Sequence, residues 1–310
     1  ELRAHIFFFT LSYKNLIIII KMNEILKLKK NSNYILNCPT DIITPIILTS
    51  PHSGYKFYDG YKSIIETPID FNKSIEDKYV DELFSLDSNY SFFTLKALIS
   101  RSVIDLNRKI YEINSNLLED PGLHKLKTTN NVLNGIGLIP VNTSRGKIIY
   151  NRKFSYDEIV ELISNLYSPW HDELKKTIKK VRKRHENVLL VDLHSMPSSC
   201  SEADIVIGDN YGNSCDSPIS EYIKKTLKDF GFKVYLNNPF SGGYISKNYR
   251  NLNENINTIQ IEVKRSLYMD ETTLLKKKDF ELIQEKMSFF IKCIEEFIHD
   301  YYYGLKDAAE

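Results

Sequence analysis

Short apolar runs alternate along most of this chain with longer stretches in which apolar residues recur every three or four positions. The runs 44–50 (TPIILTS), 187–193 (NVLLVDL), 203–209 (ADIVIGD), 233–237 (KVYLN) and 258–264 (TIQIEVK) are rich in β-branched side chains and predict strands. Residues 155–185 carry the helical spacing. Ser155 and Glu158 predict a capping box at its start, and Pro169 is expected to break it midway. A second helix is predicted over 217–232, closed by Gly231 in the left-handed conformation. Near the end, Phe280, Ile283, Met287, Ile291, Ile294 and Ile298 fall on one face of a long helix, a stripe expected to pack into the core. Strands alternating with helices imply an α/β fold, a largely parallel sheet covered by helices.

The chain has 310 residues, and its 41 basic and 40 acidic side chains leave a net charge of +1 at pH 7. That balance argues against a dedicated nucleic-acid or anionic-membrane binder. The basic run 175–185 (KKTIKKVRKRH) keeps apolar positions at helical spacing and has no interleaved aromatics, so it predicts a solvated helix face. No Gly/Ser/Pro-rich linker divides the chain, and residues 22–310 are expected to form a single domain. The stretch HIFFFTLSYKNLIIIIK is apolar but interrupted by Lys14 and Asn15, short of the ~20 residues a membrane span needs. Because it precedes Met22, residues 1–21 are expected to be an extension outside the fold, with a signal anchor as the alternative. Cys38, Cys200, Cys215 and Cys293 form no CxxC pair, which points to neither a disulfide framework nor a zinc ribbon and suits a reducing cytoplasm.

Candidate chemistry gathers where the strands end. The strand 187–193 runs into His194, and the strand 44–50 runs into SPHSG, which delivers His52. Ligands of open α/β sheets sit at the carboxyl ends of strands, and neighbouring parallel strands would bring the two imidazoles together. A third strand supplies Glu262, whose neighbours Ile261 and Val263 must face the other way. Two imidazoles, a carboxylate and an open position are what a catalytic zinc ion requires. An oxygen ligand is wanted as the third, and Glu76 and Asp77 both precede a predicted helix. The segment SRSVIDLNRKIYE (100–112) holds Arg101, Asp105, Asn107 and Arg108. An arginine fork near such a site reads as a binder of an acidic substrate or an oxyanion, or else as the ion-pair partner of Asp105. In NNPFSGGYISKNYR (237–250), Gly242 and Gly243 permit close backbone approach to a ligand, and Tyr244 can donate to a substrate oxygen. Ser195 follows His194 without the GxSxG elbow of a serine hydrolase.

The blocks SPHSG, EDKYVDELF, SRSVIDLNR, YSPWHDEL, VDLHSMPS, DIVIGDNYGNSC, NNPFSGGYISKNYR and QIEVKRSLYMDE, in that order, resemble the N-formylglutamate amidohydrolase family from about residue 46 to 271. The resemblance implies a branch of the zinc carboxypeptidase and aspartoacylase superfamily, with a mixed, largely parallel sheet, helices on both faces and one zinc per chain. It implies an enzyme that hydrolyses the amide of an N-acylated acidic amino acid, releasing formate and glutamate in the case that names the family. By position, His52 and His194 become zinc ligands and Glu262 the general base. Arg101 becomes the group that polarises the scissile carbonyl, and Asn107, Arg108, Tyr244 and Arg265 become the substrate-binding set. Where the superfamily has His-x-x-Glu, this chain has Tyr55 three residues after His52. An aspartate in a later block takes that ligand's place in this branch, which selects Asp77 over Glu76. His171 also matches the family, as a structural hydrogen-bonding residue or a catalytic one. The acyl group stays open, so a deacylase or carboxypeptidase acting on another N-acyl amino acid or a cell-wall peptide is the alternative. A metal-binding regulatory relative without turnover would be favoured had Glu262 or Arg108 been absent.

Overall fold

A computed structural model of the chain describes residues 27–30, 33–39, 41–42, 44–58, 61–66, 73–85, 92–122, 126–143 and 146–304. The stretch 1–21, expected to be an extension, lies outside them. Among the described residues, eight strands form one sheet: β1 (Lys27–Lys30), β2 (Tyr34–Cys38), β3 (Ile46–Ser50), β4 (Phe93–Ala97), β5 (Val188–Met196), β6 (Ile205–Gly208), β7 (Val234–Leu236) and β8 (Ile256–Lys264). Their order is β1-β2-β4-β3-β5-β8-β6-β7. The central strands β4, β3, β5 and β8 run parallel, β2 and β6 join them antiparallel, and β7 lies parallel to β6. The five strands expected from the sequence are all present, and β1, β2 and β4 were not foreseen. Their sequences, KLKK, YILNC and FTLKA, mix polar with apolar positions and lack the continuous apolar run that marked the others.

Helices α1 (Val80–Leu83), α2 (Asn130–Leu133), α3 (Tyr156–Leu162), α4 (Ser168–His185), α5 (Ser217–Asp229), α6 (Tyr244–Tyr249) and α7 (Phe280–Tyr303) cover both faces. Trp170, Leu174, Ile178 and Val181 of α4 pack with Leu36, Ile47, Leu95 and Leu190 on one side. On the other, Ile219, Ile223 and Leu227 of α5 and the whole predicted stripe of α7 pack with Leu48, Val191 and Ile261. The lysines of 175–185 lie exposed along α4, a solvated face as expected.

The capping box is formed: the Ser155 amide donates to Glu158 Oε2 (2.8 Å) and the Glu158 amide to Ser155 Oγ (3.2 Å). Pro169, however, does not break the helix. The chain stays right-handed through a π-helical turn at Ile163–Tyr167 that leads directly into α4. Proline offers no N–H to the carbonyl four residues earlier, that of Asn165, and the Asn33 side-chain amide donates to this carbonyl instead (2.9 Å). With the orphaned acceptor satisfied, the ladder widens locally and continues. Gly231 follows α5 at φ 87°, the left-handed residue predicted there. All four cysteines are free thiols. Among the described residues, no helix is long and apolar enough to cross a membrane.

Candidate metal centre and active site

Parallel pairing of β3 with β5 and of β5 with β8 sets the candidate residues side by side. His52 occupies the turn just past β3. Gly54 holds that turn against the backbone of Leu98 and Ile99, where a Cβ would lie 2.2 Å from the Ile99 carbonyl oxygen. The strand expected to stop at residue 193 runs on to Met196, so His194 lies inside β5, directly across from Glu262 on β8. Asp77 arrives on the segment before α1, and its amide donates to the His52 carbonyl (2.9 Å). That one bond decides between the adjacent acids: Asp77 turns toward the histidines, while Glu76 turns away and accepts from Ser100 Oγ.

Each imidazole is gripped from behind by a buried carboxylate. His52 Nε2 lies 2.7 Å from Asp105 Oδ1, and His194 Nε2 lies 2.8 Å from Asp192 Oδ2. A carboxylate only accepts, so both Nε2 atoms carry protons, and each ring has only Nδ1 left to turn toward a metal ion; without one, His194 Nδ1 donates to Asp77. Both Nδ1 atoms converge on Asp77 Oδ2, at 3.3 Å from His52 and 2.9 Å from His194. His52 Nδ1 is buried with no hydrogen-bond partner. Two imidazole nitrogens and a carboxylate oxygen aimed at one point, from rings whose centroids are 4.8 Å apart, need a positive charge among them, a proton or a metal ion. His52, Asp77 and His194 thus form a group that can hold a metal ion, with one donor atom of each within 4.8 Å of the others. Asp105 and Asp192 are the outer carboxylates that fix tautomer and ring orientation at such a centre.

The charge balance carries the same signature. Burial would lower the pKa of His194, but Asp192 and Asp77 hold it well above the imidazole range. Burial would raise Asp77, yet its bonds to His194 and His52 hold it well below the carboxylate range. Asp77 Oδ1 is separately tied by Arg265 Nη2 (3.1 Å) and Ser195 Oγ (3.1 Å), so the carboxylate cannot rotate away. Glu262 behaves differently: burial, with the Asp77 charge adding to it, pushes its pKa to about 7 against the pull of His194 and two arginines. Gln260 donates to its Oε1 (2.7 Å).

These groups line one cavity of about 440 Å³, together with Arg101, Arg108, Lys247 and Arg265. Arg101 Nε donates to Asp105 Oδ2 (2.8 Å). Arg108 lies 3.8 Å from that oxygen and is braced by the Ile136 and Asn107 carbonyls (both 2.8 Å). The reading of Asp105 as an ion-pair partner is therefore correct in part: it pairs Arg101 but lies fully buried and also orients His52. Asn107 reaches the cavity wall, yet its amide is used within the protein, accepting from the Ile245 amide (2.7 Å) and donating to Asp192 Oδ2 (3.3 Å). Tyr244 is the one expected substrate contact that the structure sets apart: its ring packs against His171, with centroids 5.7 Å apart, outside the cavity lining. His171 bridges the Leu106 carbonyl (3.0 Å) and Tyr249 Oη (2.7 Å), and burial pushes its pKa down to about 3. Both of its nitrogens are therefore engaged within the protein. The sequence reading missed Asp192 and Gln260. Each stands two residues before a candidate, His194 and Glu262, and the two-residue period of a strand would have placed them on the same face.

The description of the N-formylglutamate amidohydrolase family matches residues 44–269. The chain is 25% identical over 239 residues to an N-formylglutamate deformylase of Pseudomonas putida, covering 74% of this chain and 83% of that protein. The deformylase of Pseudomonas aeruginosa is 24% identical over 237 residues, covering 73% and 83%. Among solved structures, an N-formylglutamate amidohydrolase from Ralstonia eutropha JMP134 superposes with a TM-score of 0.81 at 27% identity, over 87% of this chain and 99% of that one.

Proposed function

The chain belongs to the N-formylglutamate amidohydrolase family, and from that premise we propose that it hydrolyses the amide bond of N-formyl-L-glutamate to formate and L-glutamate, using one zinc ion held by His52, Asp77 and His194. The observation that carries the reading is the convergence of both Nδ1 atoms and Asp77 on one point, in a cavity that Glu262 and three arginines share. Two imidazoles, a carboxylate and buried outer carboxylates suit zinc, which when bound supplies the Lewis acidity that polarises a carbonyl and acidifies a water.

The protein's own side chains do the rest. Glu262, with a pKa near 7, accepts the proton of the attacking water and returns it to the leaving amine nitrogen. Arg101, oriented by Asp105, faces the negative charge that develops on the formyl oxygen. Arg108, held by two backbone carbonyls, offers its fork to the carboxylate beside the amide. Arg265 fixes Asp77 rather than the substrate, a positioning role in place of the binding role expected for it. The test is direct: zinc-supplied protein is given N-formyl-L-glutamate, N-acetyl-L-glutamate and other N-acyl amino acids, and free acid and amine are measured. Formate and glutamate released in equal amounts, with formyl preferred, support the reading. Hydrolysis of another N-acyl amino acid without any formate release would replace the substrate and keep the site.

A further inference from the structure

N-formyl-L-glutamate carries two carboxylates, and Arg108 accounts for only the one beside the amide. Leaving the other unpaired inside a cavity is costly, so a second cation is required. Among the described residues, four permanent cations line the cavity, and three of them lie near built-in carboxylates. Arg101 and Arg108 share the single charge of Asp105, at 2.8 and 3.8 Å, which leaves that pair one positive charge for the first carboxylate, and Arg265 lies 3.1 Å from Asp77. Lys247 is the exception. It is exposed on the cavity wall, and among the described residues its ammonium has neither a carboxylate nor a carbonyl partner.

Its placement is fixed by the same scaffold that places the reacting groups. Lys247 stands on α6, whose start is pinned twice: the Gly243 amide donates to Gln260 Oε1 (2.6 Å), and the Ile245 amide to Asn107 Oδ1 (2.7 Å). Gly243 sits so close to Asn107 that a Cβ there would lie 2.3 Å from its Nδ2, so this docking tolerates no side chain. Gln260 is the hydrogen-bond partner of Glu262, and Asn107 is the chain neighbour of Arg108. The helix bearing Lys247 is thereby tied to both the base and the first carboxylate anchor. We propose that Lys247 binds the side-chain carboxylate of the substrate and so determines the preference for an acidic over an amide side chain. The inference rests on the reaction proposed above.

The experiment compares kcat/KM for N-formyl-L-glutamate and N-formyl-L-glutamine, which share the first carboxylate and differ at the second, in zinc-supplied wild type, Lys247→Met and Lys247→Arg. Lys247→Met should lose roughly tenfold on the acid, the weight of one charged hydrogen bond near solvent, with a much smaller loss on the amide. Lys247→Arg should restore most of the preference. An unchanged acid-to-amide ratio in Lys247→Met, or an equal loss on both substrates, overturns the proposal. Calorimetric binding of glutarate, a bare dicarboxylate, gives a second reading that needs no turnover. About tenfold weaker binding to Lys247→Met supports the proposal, and equal affinity refutes it. If wild type releases formate from neither substrate, the proposed reaction fails on its own while the glutarate result still decides the role of Lys247.

Discussion

Strands β5 and β8 lie side by side at the centre of the sheet, and their two faces could hardly be more different. Toward α5 and α7 they present Leu189, Val191, Leu193, Ile259, Ile261 and Val263, all within one apolar cluster. Toward the cavity, the intervening positions Asp192, His194, Gln260 and Glu262 are ionisable or amide side chains, none more than 8% exposed. Burial therefore does not separate the two faces. The difference lies in how burial is made tolerable. The apolar face needs only close packing, whereas each polar group on the other face has a partner: Asp192 holds His194 and accepts from Thr49, and Gln260 holds Glu262. One face gives the sheet its stability, and the other spends part of it to keep charges out of water.

If that division is real, substitutions on the two faces must fail in different ways. The largest effect on turnover is expected on the polar face. Glu262→Gln keeps the shape and the bond to Gln260 but removes the base, so the rate should fall by roughly two to four orders of magnitude with metal content unchanged. A variant that turns over normally would move the base elsewhere. Next comes the cavity wall. Arg108→Ala removes the partner of a desolvated carboxylate, a loss of about 2 to 5 kcal/mol, so kcat/KM for N-formyl-L-glutamate should drop roughly thirty-fold or more. Lower melting temperature with kinetics preserved in the folded fraction would make Arg108 a structural partner of Asp105 instead. The smallest effect on turnover belongs to the apolar face. Ile261→Ala should cost about 2 to 5 kcal/mol of stability through the cavity it leaves, while kcat/KM below the melting transition stays at the wild-type value. A kinetic defect without a stability change would erase the contrast between the faces.

How far this was legible in the sequence follows from the same contrast. The apolar face announces itself, because buried β-branched runs bounded by polar turns mark β3, β5, β6, β7 and β8 by pattern alone. His52, His194 and Glu262 were visible as polar residues interrupting or ending those runs. Their outer partners were harder to see, since an aspartate two positions before a histidine looks like any strand-end acid until the register pairs β5 with β8. Glu76 and Asp77 were separated by resemblance alone, because their orientation depends on the Asp77 amide meeting the His52 carbonyl across 25 residues of chain. Where Tyr244 lies was hidden because local sequence gives the tight turn at Gly243 but not that the next ring packs against His171. The continuity of the helix through Pro169 was hidden for a related reason: its rescue comes from Asn33, on a distant segment beside β2.

The central claim is that two Nδ1 lone pairs and Asp77 close on a cation, and metal stoichiometry tests it most directly. Chelator-stripped protein should bind one zinc per chain in a calorimetric titration and recover its amidohydrolase activity in proportion to occupancy. His194→Ala and Asp77→Ala should lose that site, while Glu76→Gln should keep it. Full activity in stripped protein, or stoichiometric zinc binding that survives both His194→Ala and Asp77→Ala, would contradict the account.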